Sequence, residues 1–455
     1  SRRLVARGSA HARHSEFAPL ADMFRHELLA SDGEAASEAA FDRLAARLAA
    51  RNTPAEDALA FASLLALEVP PHLRAGLDQQ RLNALTVRAV VRWLVDEAAR
   101  EPIAFVLEDL HWADASTLDV VAQLANAATA VPLLVLLTSR EDVATLASAI
   151  ERHRLQPLPP ADARSLLMLQ AGASALPAPT RQAVLRRAAG NPLFIEELAK
   201  ALRDQDGDGV ETDGEPLPLK IPPTLRDTLT ARLDRLGAHK LVAQLASVLG
   251  QRFPLELIKA MWDGPPQALR QGLQALIQAD LLVRAGTPVE PAYEFKHALI
   301  AEAAYASVLR RDRRRYHARA ADALRDLFGR DIAFRPERVA WHLSASEQPE
   351  AAFEAWLAAA EASSRRSAHA EAMSHLHYAE AELAKLAGTD ATAQAERHLN
   401  LKLASAPVLI ARMGWAAPDV ESAYRAALDA CDALDAPPPT RFEALRGLSN
   451  VYLLR

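Results

Sequence analysis

Two adjacent carboxylates, Glu108 and Asp109, close a short unbroken apolar run at 103–107 in the segment EPIAFVLEDLHWADAS (101–116). The run is too short for a helix of its own and follows Pro102, so it reads as a strand buried on both faces of a parallel sheet. Acids at the carboxyl end of such a strand lie where open α/β sheets bind ligands. One carboxylate can hold Mg²⁺ on a nucleotide while the other orients water against the terminal phosphate. An apolar run of this kind followed by two acids is the Walker B pattern. A plainer alternative is a strand that ends in an acid on the way into a capped helix, and Asp114 with Ser116 can supply that cap.

Five further features carry possible chemistry. A second apolar run, VPLLVLL at 131–137, ends in Thr138-Ser139-Arg140. A basic residue at the tip of the neighbouring strand can sense a γ-phosphate, which makes Arg140 a candidate; a helix C-cap or a pair with Glu141 is the alternative. In GNPLF (190–194) the glycine reads as a C-cap and Pro192 as the first turn of a helix. The functional alternative sets Pro192 against an adenine ring. His297, in EFKHALI, either touches a nucleotide phosphate or is a satisfied structural residue at a helix start. The segment DQDGDGVETDGE (204–215) has calcium-loop spacing, with Asp204, Asp206, Asp208, Gly209 and Glu215 in register. Pro216, Pro218, Pro222 and Pro223 bar a helix on its far side, and Glu211 stands where an apolar residue pairs two hands, which favours a solvated acidic linker. Arg310, Arg311, Arg313, Arg314 and Arg315 read as a solvated helix face, or as a dock for an acidic surface.

The elements that must hold these residues follow from periodicity. The chain has 455 residues, which implies two to four domains. A strand at 4–8 and helices over 17–29, 34–51, 54–67 and 73–100 precede the acid-bearing strand. A helix at 115–128, the strand at 131–137, a helix from 143 and a short strand at 155–158 extend a doubly wound α/β pattern. Helices over 162–171 and 180–189 follow. No Gly-Lys pair occurs, so the chain lacks a phosphate-binding loop of the type G-x-x-x-x-G-K-[ST]. Helices at 221–236, 240–249, 255–262 and 266–279 with a hairpin at 281–284 and 293–296 form a winged-helix pattern. The last of these, PQALRQGLQALIQAD, third of the three helices over 240–279 that make the winged-helix set with the hairpin, has Arg270 as its one cation, which argues against DNA binding.

From Pro336 onward helix follows helix. Trp356, Ala360, Ala372, Leu376 and Ala379 fall at the offsets of a tetratricopeptide unit. A looser unit spans 401–411 and 418–434, and a last helix starts at 440. The concave side of such an array binds protein or peptide. The net charge of −6 offers no global field for nucleic acid or membrane. Cys431 is the sole cysteine, which rules out an intramolecular disulfide and a cysteine zinc site and fits a reducing cytoplasm. No membrane span or signal peptide is visible. The chain opens at SRRLV without Met and stops at NVYLLR within a helical pattern, so it reads as a piece of a longer protein.

The order LEDLHWADASTL, TSRE, GNPLFIEEL, IPPTLRDTLTARLDRL, YEFKHALIAEAAYASVLRR and LKLASAPVLIARMGWAAPDVESAYRAALDAC resembles the STAND-type ATPases of bacteria. It is most similar to the ATPase–tetratricopeptide region that follows the catalytic domain of class III adenylate/guanylate cyclases. Similar regions occur in Ser/Thr kinase fusions and large LuxR-type regulators. The resemblance implies a partial α/β parallel-sheet, AAA+-like ATPase domain, then an α-rich winged-helix domain and an all-α tetratricopeptide-like solenoid. The expected limits are 1–203, a linker at 204–220, 221–330 and 331–455.

It also implies the Mg²⁺-associated acid at Glu108, the water-orienting acid at Asp109, the first sensor at Arg140, an adenine-side proline at Pro192 and a phosphate-sensing histidine at His297. The strict pattern has Asp where this chain has Glu108, and the P-loop strand is not present. The expectation is thus a cytoplasmic regulatory switch that uses ATP/ADP and Mg²⁺ in the full-length protein. An upstream catalytic domain, a cyclase in first place, would share the chain, and a protein or peptide would bind the repeats. Direct DNA binding and membrane contact are not expected. This piece alone would bind ATP poorly or not at all. A LuxR-type activator and a scaffold with a dead site are the alternatives.

Overall fold

A computed structural model describes residues 2–9, 15–29, 38–65, 67, 69, 73, 79–142, 150–170, 177–206, 224–286, 291–328, 336–365, 368–386, 391–434 and 437–454. The chain forms two compact units, Ser1–Ile150 with Arg314–Arg455, and Glu151–Arg313.

The first unit opens on β1 (Arg2–Arg7), α1 (Ala18–Leu29), α2 (Glu38–Ala49), α3 (Ala55–Leu64) and α4 (Gln79–Arg100). Pro102 ends any helical continuation, since it lacks an N–H and restrains the residue before it. β2 (Ile103–Glu108) follows, then a 3₁₀ turn at Leu110–Trp112, α5 (Ala115–Ala127) and β3 (Leu133–Leu137). The strands are parallel in the order β1–β2–β3. Ile103, Phe105, Val106 and Leu107 of central β2 are buried, as a strand covered on both faces requires. Phe24 meets Phe61 and Trp93 edge-on at 5.0 and 5.1 Å, in one apolar core that spans all three strands and α1–α5. β3 differs. Leu133 is buried, yet Leu134 and Leu136 are 62% and 50% exposed. Among the described residues no strand pairs with its other edge.

The second unit begins in an extended segment. The strand expected at 155–158 does not form: Leu155 is 93% exposed, and the backbone contact there is Leu158 N–H to Gly190 O at 2.9 Å. Pro157, Pro159 and Pro160 remove the donors a ladder needs. The helix expected from 143 lies outside the described residues. α6 (Pro160–Leu169), α7 (Ala178–Ala188) and α8 (Pro192–Asp206) pack around Leu167, Val184, Ile195 and Leu198. The acidic segment beyond Asp206 lies outside the described residues. α9 (Leu225–Arg235) starts at Thr224, whose hydroxyl accepts from Asp227 N–H. α10 (Lys240–Val248), β4 (Arg252–Pro254), α11 (Leu255–Met261), α12 (Pro266–Gln278), β5 (Leu282–Gly286), β6 (Pro291–Phe295) and α13 (Ala298–Ala306) complete it. The strands form an antiparallel sheet, β4–β6–β5.

α14 (Arg310–Phe328) precedes the array α15 (Pro336–Ala345), α16 (Pro349–Arg365), α17 (His369–Lys385), α18 (Ala391–Met413), α19 (Pro418–Leu434) and α20 (Pro438–Leu453). Short connections make packed neighbours antiparallel. Trp356, Ala360, Ala372, Leu376 and Ala379 are all buried, and Trp356 stacks on Tyr378 at 4.9 Å. Of the arginine cluster, Arg313 lies over the Tyr305 ring at 4.4 Å and Arg314 pairs with Glu347, so these two cations are engaged within the chain. Among the described residues no helix is long and apolar enough to cross a membrane.

Candidate functional site

Parallel register sets Arg7 opposite Glu108. Arg7 Nε donates to Glu108 Oε2 at 2.6 Å, and the Arg3 guanidinium stands 3.9 Å from Oε1. These side chains are solvent-facing, so the pairs contribute only about 0–1 kcal/mol to stability. Their effect is local: the Glu108 carboxylate already has a cationic neighbour.

Asp109 lies in the left-handed region, φ 55 and ψ 48. Asp tolerates that region better than most side chains, at a cost of about 1 kcal/mol. Both flanking strands hold it there. Asp109 N–H donates to Thr138 Oγ1 at 3.1 Å, Leu110 N–H to Thr138 O at 2.8 Å and Gly8 N–H to Glu108 O at 2.8 Å. A Cβ on Gly8 would sit 2.4 Å from Asp109 O, so only glycine allows this approach. The Asp109 carboxylate caps nothing, although the 3₁₀ turn starts there.

Asp114 does the capping of α5. Its Oδ1 accepts from Thr117 N–H and Phe17 N–H, each at 2.9 Å, and Thr117 Oγ1 donates to Oδ2 at 2.6 Å. Burial pushes the Asp114 carboxyl up to about 6, and the nearby Glu371 charge adds to this against the Thr117 and Phe17 hydrogen bonds. Helix capping therefore does not account for the acids at 108 and 109. Ser116 is not a cap; its N–H and Oγ donate to Glu371 Oε1 at 3.1 and 3.0 Å.

Arg140 is exposed, and its N–H reaches His111 Nδ1 at 3.5 Å. Glu108, Asp109 and Arg140 thus share one rim at the carboxyl ends of β2 and β3, with Arg7, Thr138 and His111 beside them. Sequence inspection missed Arg7, Gly8, Thr138 and His111 as parts of this rim. The signal for Arg7 is weak: it ends a short apolar strand, as Glu108 does.

Pro192 and His297 belong to the second unit. Pro192 opens α8, and Asn191 Oδ1 accepts from Phe194 N–H at 3.1 Å. Gly190 has φ 78, and a Cβ there would lie 2.6 Å from Leu158 O. Pro192 thus opens its helix as expected, while the C-cap of α7 falls one residue earlier than expected, on Ala189 at φ 48, with Gly190 just beyond it. His297 precedes α13 and is half-buried. Burial lowers its pKa; Glu197 opposes this, and Lys296 and Lys200 reinforce it.

Next to His297 lies a charge network that sequence gave no hint of. Glu197, 1% exposed, pairs with buried Arg232, and Lys200 Nζ stands 3.3 Å from it. Asp280 accepts from Lys296 at 2.6 Å and Lys200 at 2.9 Å. Burial raises the Asp280 carboxyl, but the two lysines outweigh it and bring it to about 2.

Among the described residues no three His, Cys, Asp or Glu side chains form a group that could hold a metal alone. One carboxylate, Glu108, still suits Mg²⁺ carried on a phosphate, because that ion keeps water and phosphate oxygens as its other ligands.

A family described as "Domain of unknown function (DUF8739)" matches residues 160–213. An uncharacterized protein of Rhizobium meliloti (strain 1021) is 29% identical over 367 residues, covering 78% of this chain and 35% of that protein. The chain therefore spans about a third of the length of this curated relative. Among solved structures, a signal transduction ATPase with numerous domains (STAND) with a tetratricopeptide repeat sensor, from Pyrococcus horikoshii, overlays with a TM-score of 0.39 at 12% identity. The overlay covers 100% of this chain and 72% of that one. That score is below what marks a common fold.

Proposed function

We propose that this chain is the switch and interaction region of a larger bacterial signalling protein. Its α/β part would bind ATP and Mg²⁺, and its helical array would receive a protein or peptide. The observation that carries this is the acid pair at the tip of central β2. The turn is fixed by Gly8 and Thr138, and neither acid is used as a helix cap.

In this reading Glu108 holds Mg²⁺, Asp109 orients water and Arg140 faces the terminal phosphate. Bound Mg²⁺ would neutralise phosphate charge. Glu108 has first to exchange Arg7 for the ion, which is one regulated step. The open edge of β3 and its exposed Leu134 and Leu136 support a further parallel strand there, and a P-loop strand supplied by the parent protein fits that place. Residues 1–203, 221–330 and 331–455 then serve as ATPase, winged-helix and tetratricopeptide-like domains, with 204–220 as linker. The sheet β4–β6–β5 with α10–α12 supports the winged helix. In the second unit, Pro192 would serve as an adenine-side proline and His297 as a phosphate-sensing histidine. A cytoplasmic cyclase fusion is the favoured parent, and a LuxR-type activator is the alternative.

A second reading, a scaffold with a dead site, is favoured by one observation: Arg7 already neutralises Glu108. The two separate in the full-length parent. Replacing Asp109 by Asn should leave ATP binding intact and slow hydrolysis by about a hundredfold or more. Unchanged hydrolysis, or no hydrolysis in the unmodified parent, supports the scaffold instead.

A further inference from the structure

Two carboxylates from the helical array reach into the α/β part of the same unit. Glu337 of α15 accepts from Ser15 Oγ at 2.6 Å. Glu371 of α17 accepts from both Ser116 N–H and Ser116 Oγ, at the first turn of α5. Ser15, Ser116, Thr117, Asp114, Glu337 and Glu371 are all buried. A buried carboxylate is retained only where charged hydrogen bonds offset its desolvation. Glu371 has two such bonds and the positive end of a 13-residue helix.

That helix end is shared. Asp114 already caps it from the preceding loop, so two acids converge on one N-terminus. The groups facing Glu371 are Asp114, Asp119 and His369. Burial and the Glu371 charge raise both aspartates. Burial and Arg412 lower His369, with Glu371 opposing. The contact is thus specific in its hydrogen bonds and repulsive in its charge, which suits a contact made to open.

We propose that Glu371 is a releasable latch, through which the helical array supplies the second cap of α5 and so holds the turn that carries Glu108 and Asp109. α5 begins six residues after Asp109, with one short 3₁₀ turn between them, so in this proposal the Glu371 contact adds to the hold that Gly8 and Thr138 already have on the acid-bearing turn. A ligand that draws α17 away would withdraw the carboxylate and loosen that turn. The latch rests on these contacts alone; only its effect on the acid pair rests on the nucleotide reading above.

Hydrogen exchange of the 455-residue chain, without nucleotide, tests the latch. Glu371→Ala should speed exchange of the amides at 115–118 about tenfold, while β1, β2 and α4 keep their protection. Asp114→Asn, which relieves the repulsion and keeps a capping side chain, should leave those amides as protected as before or more so. Unchanged exchange at 115–118 in a folded Glu371→Ala chain overturns the proposal. If that variant loses protection throughout, Ser116→Ala, which deletes one donor only, must show the same local increase at smaller size; its absence overturns the latch. In the full-length parent, local exposure with unaltered nucleotide affinity would overturn the coupling while leaving the nucleotide site standing.

Discussion

A methyl group at position 8 would lie 2.4 Å from the Asp109 carbonyl oxygen. Gly8→Ala must therefore displace β1 or the turn, at about 1–3 kcal/mol. Urea denaturation should report that loss, and an unshifted midpoint would mean the two backbones are not in contact. Asp114 makes a pH prediction. Its folded pKa of about 6 lies above the ordinary 3.8. Its stabilising contribution is thus fully present below about pH 4 and is lost as pH rises through 6, a change of about 3 kcal/mol. Asp114→Asn should flatten stability between pH 4 and 7, as read by denaturation at several pH values; an unaltered slope contradicts the assignment. At this scale the acid pair was legible, because two carboxylates after an apolar run carry their own position with them. Arg7 and Glu371 were not. Each meets its partner through pairing of segments far apart in the chain, and single-residue chemistry does not encode register.

Elements were legible where pattern was dense. The run at 103–107 became β2 because every residue in it is apolar and Pro102 sets its start. The segment at 155–158 was misread: its leucines alternate with prolines that bar a ladder, and Leu155 is in solvent. β4 went unseen because three residues, Arg252–Pro254, give no period. The helix-to-helix tie in the second unit was hidden for another reason. Glu197 and Arg232 each fit the polar face of an amphipathic helix, yet their burial comes from the packing of α8 and α9 against the 279–280 turn. Arg232→Met should destabilise that unit by about 3 kcal/mol, since it leaves Glu197 buried with only Lys200 beside it. Thermal melting checks this; a melting point equal to that of the unmodified chain would show that Lys200 suffices.

For the whole molecule, the exposed edge of β3 is the feature that most constrains what surrounds it. Leu134 and Leu136, beside an edge that no strand pairs among the described residues, form a template for another strand. Replacing both by Thr should reduce self-association of the isolated chain in light scattering. It should also weaken the full-length parent, where the proposed neighbouring strand would lose its contacts. The two-unit organisation was not legible: composition and motif order group residues along the chain, while compactness groups Ser1–Ile150 with Arg314–Arg455. Glu108 and Asp109 are proposed to face a nucleotide phosphate. Calorimetric titration of the full-length parent with ATP, with and without Mg²⁺, tests it most directly. Binding should weaken at least about tenfold when Mg²⁺ is removed, with that dependence lost in Glu108→Gln. Affinity indifferent both to Mg²⁺ and to Glu108→Gln would contradict it.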